Sequence, residues 1–313
     1  MSNSPPNDLS IAAVERETGL SKDTLRVWER RYNFPSPGRD GSGERTYPPE
    51  QVEKLRLIKG LMDQGHRPGK LVGADTNILR GMAAQTPKRG RTIVEPAEER
   101  DDLLHFVALC REHRIDELRR ELTQCLLRSG IYRFVTDVIA PLTTMIGAQW
   151  ASGQLAVFEE HLYTETVQVI MRNAISSIPA PDTATGAGPL PRIVLTTIPH
   201  ELHGLGLLMA EAIFVLEGAR CISLGVHTPV TEIAQAARVH AADIVALSFS
   251  VSARPAHVLG ALADLRAELP PSVEIWAGGR SAVLRRRTQS AVKNMDLHDI
   301  PAALAEWRRR VLP

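Results

Sequence analysis

The C-terminal part of the chain alternates short apolar runs with longer segments whose apolar residues recur at helical spacing. The first run, residues 193–198, is rich in β-branched residues and has the length of a buried strand. Strands are predicted at 193–198, 220–224, 244–250 and 273–276, and helices at 204–216, 229–239, 255–269 and 300–311. Strands that alternate with helices of this length predict a parallel, doubly wound α/β sheet of the flavodoxin-like kind.

Upstream of this sheet, residues 99–178 contain four apolar patterns of helical period separated by short breaks. The four helices are predicted at 103–110, 115–126, 131–150 and 157–178. Four such helices with short connections predict a four-helix bundle. Pro141 lies within the third helix and predicts a kink or a restart there.

The N-terminal region predicts two short helices joined by a tight turn. The predicted elements are helices at 11–17 and 22–31, a Gly-rich hairpin with two arginines at 38–47, and an amphipathic helix at 51–65. Gly19 ends the first helix and Ser21 caps the second. This spacing is typical of a helix-turn-helix, and the hairpin resembles a wing.

These patterns divide the 313 residues into three domains and make a multidomain protein. Two segments that contain proline and have no apolar period, 85–98 and 181–191, are predicted to be linkers. The predicted domains are an all-α winged helix-turn-helix domain at 1–84, a four-helix bundle at 99–180 and the α/β sheet domain at 192–313.

Charge and cysteine content narrow the function classes. Residues 1–90 carry 15 Lys and Arg against 11 Asp and Glu, whereas the remainder carries 22 against 25. The N-terminal part is therefore suited to meet a polyanion. Three cysteines, Cys110, Cys125 and Cys221, are expected to be buried thiols and not a disulfide framework. Because no apolar segment approaches the roughly 18 residues of a membrane span, we expect a soluble cytoplasmic protein with no membrane partner.

The second helix of the helix-turn-helix carries several cations. A basic helix alone is more often a solvated face, but the order of helix, turn, basic helix and Gly-rich hairpin favours DNA binding. In such domains the Lys and Arg side chains contact DNA phosphates while the helix enters a groove of the DNA. The residues predicted to contact DNA are Lys22, Arg26, Trp28, Arg30, Arg31, Arg39, Arg45 and Tyr47.

This region resembles the MerR family of transcription regulators. The match lies at residues 25–30 (LRVWER), at residues 45–47 (RTY) and in the Leu-rich helix that follows. The resemblance covers residues 9 to about 80 and implies a winged helix-turn-helix that binds double-stranded operator DNA as a dimer.

Polar residues and glycines follow the predicted strands of the α/β domain. They are Glu201, His203 and Gly206 after the first strand, Ser248 and Ser250 at the end of the third, and Gly278 and Gly279 at the end of the fourth. The carboxyl ends of parallel strands meet at one edge, where ligands bind and where serine hydroxyls can bond a heterocycle. Neither a G-x-G-x-x-G loop nor a P-loop follows the first strand, and the His and Glu residues are not at zinc spacings. One histidine with room for a large flat ligand favours a metal that already carries most of its ligands in a macrocycle.

The same residues resemble the cobalamin-binding fold of methionine synthase and corrinoid proteins. The family motif Asp/Glu-x-His-x-x-Gly corresponds to residues 201–206. The resemblance implies that His203 is the lower axial ligand of cobalt and that Glu201 tunes this imidazole through a hydrogen bond. It also implies that Ser248 binds the dimethylbenzimidazole tail and that the glycine pair 278–279 borders its slot.

Four residues between and within the last two bundle helices extend the resemblance. Trp150, Val157, Glu160 and His161 have the spacing at which the MerR-type cobalamin photoreceptor repressors, the CarH and LitR group, surround an adenosyl group. The resemblance thus covers nearly the whole chain and implies adenosylcobalamin as the cofactor. In that group the loaded protein assembles into a tetramer that binds operator DNA in the dark, and light cleaves the Co–C bond and ends repression. A homo-oligomer, tetramer or dimer, without enzymatic activity is therefore expected.

Residue 151 departs from that group. The photoreceptors typically carry a histidine directly after the tryptophan, and it moves onto cobalt after photolysis, whereas this chain has Ala151. His161 or a water molecule remains as an alternative upper ligand. A light-independent cobalamin sensor of the same architecture is therefore the alternative function. A corrinoid methyl-transfer module is disfavoured by the helix-turn-helix and by the lack of a substrate barrel in the chain.

Overall fold

The structure, a computed structural model, describes residues 8–63, 66–85, 101–179, 190–284 and 291–311. The two predicted linkers, 85–98 and 181–191, lie almost entirely outside these described residues. None of the described helices is long and apolar enough to cross a membrane.

The N-terminal elements begin with two short helices whose ends are set by local hydrogen bonds. The elements are β1 (Leu9–Ser10), α1 (Ile11–Thr18), α2 (Lys22–Tyr32), β2 (Gly38–Arg39), β3 (Arg45–Tyr47), α3 (Pro49–Asp63), α4 (Pro68–Leu71) and α5 (Thr76–Gln85). The Ser10 hydroxyl accepts a hydrogen bond from the backbone N–H of Ala13 at 3.3 Å, and the Ser21 hydroxyl accepts one from Thr24 at 3.2 Å. These oxygens satisfy N–H groups that the first helical turn leaves unpaired. α1 ends at Gly19, whose φ of 67° lies in the left-handed region that glycine adopts without strain.

A small antiparallel sheet accompanies these helices. β3 is its central strand and pairs with β1 on one side and with β2 on the other. The turn of the β2–β3 hairpin is held by Asp40, which accepts hydrogen bonds from the backbone N–H groups of Ser42 and Glu44, each at 2.9 Å. The all-α description of this domain is therefore wrong, although β2 and β3 lie where the hairpin was predicted. The strand that sequence analysis missed here is β1, whose two residues are too few to show a pattern.

The next region is helical. It contains α6 (Asp101–Arg111), α7 (Ile115–Arg133), a π-helical stretch (Phe134–Ile139), α8 (Ala140–Ala151) and α9 (Val157–Ser176). Gly130, with φ 74° and ψ 161°, interrupts the regular helix near the end of α7. The π-helical stretch ends two residues before Pro141, which has no N–H to donate, so the hydrogen-bond register changes close to the predicted kink.

The described chain forms two compact units. The first comprises the residues up to His113 together with Thr144–His161, and the second comprises Arg114–Thr143 together with the residues from Leu162 onward. The division passes through α8 and α9, so the association of the four helices as one bundle stays a prediction. Within the second unit, α7 packs against the first helix of the α/β domain, Leu205–Leu216.

The second unit contains a five-stranded parallel sheet. Its elements are β4 (Arg192–Thr196), α10 (Leu205–Leu216), β5 (Arg220–Ser223), α11 (Val230–Val239), β6 (Ile244–Phe249), α12 (Pro255–Glu268), β7 (Glu274–Gly279), β8 (Val292–Met295), a 3₁₀ turn (Leu297–Asp299) and α13 (Ile300–Val311). The strand order is β5-β4-β6-β7-β8, with every pair parallel. This order confirms the predicted doubly wound sheet and places its topological switch point between β4 and β6.

The apolar runs occupy the middle of this sheet. All six residues of β6 are buried, as expected for a central strand covered by helices on both faces. β8 escapes prediction because it is an edge strand that carries two polar residues. One of them, Lys293, has its ammonium group 5.2 Å from the centre of the Trp276 ring and forms an ion pair with Glu306 at 2.8 Å.

Candidate functional site

His203 and Glu201 are joined in the loop that follows β4. Nδ1 of the His203 ring lies 2.6 Å from Oε1 of Glu201, and the backbone N–H of His203 donates to the same oxygen at 3.1 Å. Because an ionised carboxylate can only accept, Nδ1 is the donor and Nε2 is left as the basic nitrogen of the ring. The His203 side chain is 66% exposed, whereas the Glu201 side chain is 4% exposed. A buried carboxylate thus fixes the tautomer of an accessible imidazole.

Ser250, after the end of β6, holds the other oxygen of this carboxylate. Its backbone N–H donates to Oε2 of Glu201 at 2.9 Å, and its hydroxyl donates at 2.8 Å. Burial acts to raise the pKa of the Glu201 carboxyl, but the hydrogen bond and charge of His203, together with the bonds from Ser250, outweigh burial and hold this pKa below its ordinary value. The Ser250 hydroxyl, which was predicted to contact the cofactor, donates a hydrogen bond to Glu201 in this structure.

Three glycines at this edge lie so close to their neighbours that a side chain would collide with them. A Cβ built on Gly206 would lie 2.7 Å from the hydroxyl oxygen of Ser248. A Cβ built on Gly279, whose φ is 109°, would lie 2.2 Å from the backbone oxygen of Phe249, and one on Gly278 would lie 3.0 Å from the backbone oxygen of Met295. The backbone at the end of β7 therefore lies against the backbone of β6 and of β8, and the Ser248 hydroxyl lies beside the start of α10. The hydroxyl oxygen of Ser281, just beyond the glycine pair, is buried without a hydrogen-bond partner.

A second hydrogen-bond network joins the loops after β4 and β5. The Thr197 hydroxyl donates to the backbone oxygen of Glu201 at 2.6 Å and accepts from the backbone N–H of His227 at 2.8 Å. Nδ1 of His227 accepts from the backbone N–H of His200 at 2.7 Å. Sequence analysis missed these residues because a threonine directly after a strand and a histidine in a loop carry no distinctive spacing.

Three exposed apolar side chains lie on the loops of this edge. Leu202 is 64% exposed, Val251 60% and Val226 39%. A Cβ built on Gly204 would lie 3.1 Å from Cγ1 of Val226. Large exposed apolar side chains next to the accessible imidazole of His203 suit a flat ligand with an apolar perimeter. In the described parts of the chain, no three His, Cys, Asp or Glu side chains cluster as a metal site, so a metal at His203 would have to bring most of its ligands.

The other predicted cofactor residues lie in the first unit. Trp150 at the end of α8 and Val157 at the start of α9 are half-buried. The His161 side chain is 69% exposed and lies 3.7 Å from the Glu160 carboxylate. The turn before α9 is capped by Glu159, which accepts from the backbone N–H of Ala156 at 2.7 Å and lies 3.0 Å from Nε2 of His113. The structure therefore brings Trp150–His161 together in one segment and places His203 in the other unit.

The predicted DNA-contacting residues divide into two groups. Arg30, Arg31 and Arg39 are exposed, and the side chains of Lys22 and Arg26 are 44% and 51% exposed. Arg45 is partly buried and forms an ion pair with Glu29 at 3.1 Å.

Trp28 and Tyr47 form the second group and belong to the hydrophobic core. Trp28 is 5% exposed and Tyr47 is 0% exposed, and both pack with Leu25 and Leu55. Burial, together with the nearby Glu29 carboxylate, raises the pKa of the Tyr47 hydroxyl. These two aromatic side chains therefore pack in the core of the domain, and their predicted contacts with DNA stay a prediction.

Comparison with known families assigns a class to these domains. The family model for MerR HTH family regulatory proteins matches residues 9–71, and two models for B12 binding domains match residues 100–174 and 191–296. The chain therefore contains a MerR-type helix-turn-helix region and two B12-binding regions, in the order predicted from its sequence.

Two curated relatives cover most of the chain. It is 27% identical over 90% of both chains to the HTH-type transcriptional repressor CarH of Myxococcus xanthus. It is 29% identical over 87% of both chains to the HTH-type transcriptional repressor CarA of the same organism. Both relatives carry the names of transcriptional repressors, the class of protein that the sequence predicts here.

A solved structure shares the fold of about two thirds of the chain. The monomethylamine corrinoid protein of Methanosarcina barkeri superposes with a TM-score of 0.51 at 14% identity, over 66% of this chain and 99% of that one. This likeness supports the fold and says nothing further about activity.

Proposed function

We propose that this protein is a transcriptional repressor that binds double-stranded operator DNA and uses adenosylcobalamin as a light-cleavable ligand. The observation that carries the cofactor assignment is the chain of hydrogen bonds from Ser250 through Glu201 to His203, with contacts of 2.8 Å and 2.6 Å. The repressor assignment is supported by the relatives CarH and CarA. Adenosylcobalamin, when bound, supplies a cobalt–carbon bond that green light breaks. We expect the protein to act in the cytoplasm, where it meets operator DNA.

The residues of the sheet edge hold the cofactor from below. With cobalamin bound, Nε2 of His203 would ligate the cobalt, and the Glu201 carboxylate would orient the ring and increase its basicity. The space beside Gly206 and the hydroxyl of Ser248 accept the nucleotide tail, with the pair 278–279 at the border of its slot. A Cβ at any of these three glycines would collide with a neighbouring residue, so a substitution there should disturb the slot.

The helical residues and the basic helix complete the assignment. We propose that Trp150, Val157, Glu160 and His161 surround the adenosyl group. In the N-terminal domain, the exposed cations of α2 and the β2–β3 hairpin, which acts as the wing, contact phosphates of the operator. The protein functions as a homo-oligomer, a tetramer or a dimer, because a symmetric assembly presents paired helices to a two-fold operator.

Two measurements on the cobalamin-loaded protein test this proposal. We expect its visible absorption spectrum and its operator affinity both to change after green illumination, and the oligomeric state to change with them. His203→Ala should lose the spectrum of a histidine-ligated cobalt, whereas His240→Ala should retain it. His240 is the matched control because it is exposed and lies at the end of α11, at the amino edge of the sheet. Unchanged affinity and oligomeric state after illumination would overturn the light response.

A light-independent cobalamin sensor is the second candidate, and Ala151 is the observation that favours it. The histidine that the photoreceptor group places there is absent from this chain. Titration of operator affinity in the dark with adenosyl-, methyl- and hydroxocobalamin separates the two functions. A sensor of this kind distinguishes the three forms in the dark and does not respond to light.

A further inference from the structure

The turn between α8 and α9 lies against α3 of the N-terminal domain. A Cβ built on Gly60 of α3 would lie 3.4 Å from the backbone oxygen of Ala151 and 3.5 Å from its Cβ. A Cβ built on Gly153 would lie 3.4 Å from Oε1 of Glu53. Glu53 and Gly60 are seven residues apart, which places them two turns apart on one face of α3. One helix face therefore meets one turn at two points.

The turn and α3 each make further hydrogen bonds beside this contact. In the turn, the backbone N–H of Gly153 donates to the oxygen of Trp150 at 3.0 Å, and the backbone N–H of Gln154 donates to the oxygen of Gln149 at 2.8 Å. On the helix side, the Arg80 guanidinium of α5 donates to the same Glu53 oxygen. A displacement of Trp150 would therefore move the turn as a body.

α3 is joined to the basic helix α2 through the hydrophobic core. Leu55 and Ile58 of α3 are 0% exposed and share a core with Leu25 and Trp28 of α2. Because protein interiors are close-packed, a shift of α3 is transmitted to helices that share its core. Contact therefore runs from the Trp150 turn to the helix that carries the predicted DNA-contacting cations.

We propose that the 151–153 turn is an intramolecular docking site for α3 and relays the state of the Trp150–His161 segment to α2. The nature of the signal rests on the function proposed above, whereas the docking contact does not. The relay also gives a reason for alanine at position 151. Its Cβ faces Gly60, so a histidine there would displace α3.

A designed crosslink tests the docking contact in the full chain. The 3.5 Å separation at positions 60 and 151 falls within the Cβ–Cβ range of disulfides, about 3.5–4.5 Å. Gly60→Cys with Ala151→Cys should therefore crosslink on mild oxidation and migrate faster on a non-reducing gel. Gly60→Cys with Gly147→Cys is the control, because position 147 lies one helical turn earlier and a Cβ there meets no atom within 4 Å.

The chain's own cysteines give little background in this experiment. Burial raises the pKa of the Cys110 thiol to about 12 and also raises that of Cys221, which suppresses their thiolates. Cys125→Ser is included in every variant. Crosslinking of the 60–151 pair no greater than that of the 60–147 control would overturn the docking contact, and neither cobalamin nor DNA is needed to see it.

Operator affinity of the crosslinked protein tests the relay. We expect adenosylcobalamin and light to change the operator affinity of the reduced 60–151 variant by about tenfold or more, which is within the range of allosteric coupling. The operator affinity of the oxidised form should respond to neither. An oxidised form that responds as fully as the reduced one would overturn the relay. A reduced form indifferent to cobalamin would overturn the proposed function and the relay with it, while the docking contact would still be supported by its crosslink.

Discussion

The carboxyl edge of the sheet and the Trp150–His161 segment both carry predicted cofactor residues, yet they are built differently. At the sheet edge, Glu201 is buried and accepts hydrogen bonds from two loops. In the helical segment, His161 is 69% exposed and its ion pair with Glu160 spans 3.7 Å. Strand ladders fix the backbone at the edge of a parallel sheet, whereas a helix surface presents side chains without fixing them. We therefore expect the lower site to be formed before the cofactor binds and the upper residues to become ordered around it.

The largest effect should come from Gly279→Ala. Its φ of 109° and the 2.2 Å approach of a Cβ to the Phe249 oxygen force a backbone shift at the end of β7. We expect a loss of at least about 3 kcal/mol in the free energy of unfolding, measured by denaturant titration. Gly260→Ala is the control, because it lies in the exposed middle of α12 with open space around it and should stabilise by roughly 0.5–1 kcal/mol. Equal changes in unfolding free energy for the two substitutions would contradict a rigid carboxyl edge of the sheet.

Glu201→Gln should have the next largest effect. Hydrogen bonds to a charged group contribute about 1.5–3 kcal/mol, so we expect the unfolding free energy to fall by about 2 kcal/mol at neutral pH. The folded-state pKa of this carboxyl is lowered, so its stabilisation is present above the ordinary value of 4.5 and is lost as pH falls through the lowered value. The difference between wild type and variant should therefore shrink in acid.

Unfolding free energies of wild type and Glu201→Gln, measured from neutral to acid pH, test whether their difference shrinks in acid. Glu268→Gln serves as a control, because its ion pair with Arg238 at 3.3 Å is exposed and contributes little. A difference for Glu201→Gln that stays constant with pH, or grows in acid, would rule out a lowered pKa.

Gly206→Ala should act on the ligand more than on the fold. Its Cβ would lie 2.7 Å from the Ser248 hydroxyl, which can rotate away but then leaves the slot. We expect cobalamin affinity to fall about tenfold, or ~1.4 kcal/mol, with a small change in thermal unfolding. Addition of Ser248→Ala removes the clash without restoring the hydroxyl. Recovery of affinity in this double variant would show that Ser248 does not bind the ligand.

The smallest effect on stability should come from His161→Ala. An exposed side chain with a long ion pair contributes little, so we expect the cofactor-free protein to unfold within ~0.5 kcal/mol of wild type. The same variant should show its effect only when cobalamin is bound, as a changed spectrum after illumination. A large loss of stability without cofactor would indicate that the upper segment is as preformed as the sheet edge.

Sequence analysis predicted most of the elements because their patterns are local. The strand at 193–198 precedes Glu201 and His203 at a strand end, and parallel topology alone places such residues at one edge. It missed Thr197, because the role of its hydroxyl depends on a neighbouring loop. It could not foresee that Ser250 donates to Glu201 or that Tyr47 packs in a core, because spacing along a chain does not show which residues meet in the folded protein.

What the sequence by itself determined was the order of domains, the parallel sheet, and the residue types available for a cobalt ligand and for DNA. These follow from periodicity and from residue chemistry, which are properties of short stretches. The tertiary structure decided how those residues are used. It committed Ser250 to Glu201, buried Trp28 and Tyr47, and set Ala151 against Gly60 of α3. Each of these contacts joins residues far apart in sequence, and such contacts arise only from the packing of the folded chain.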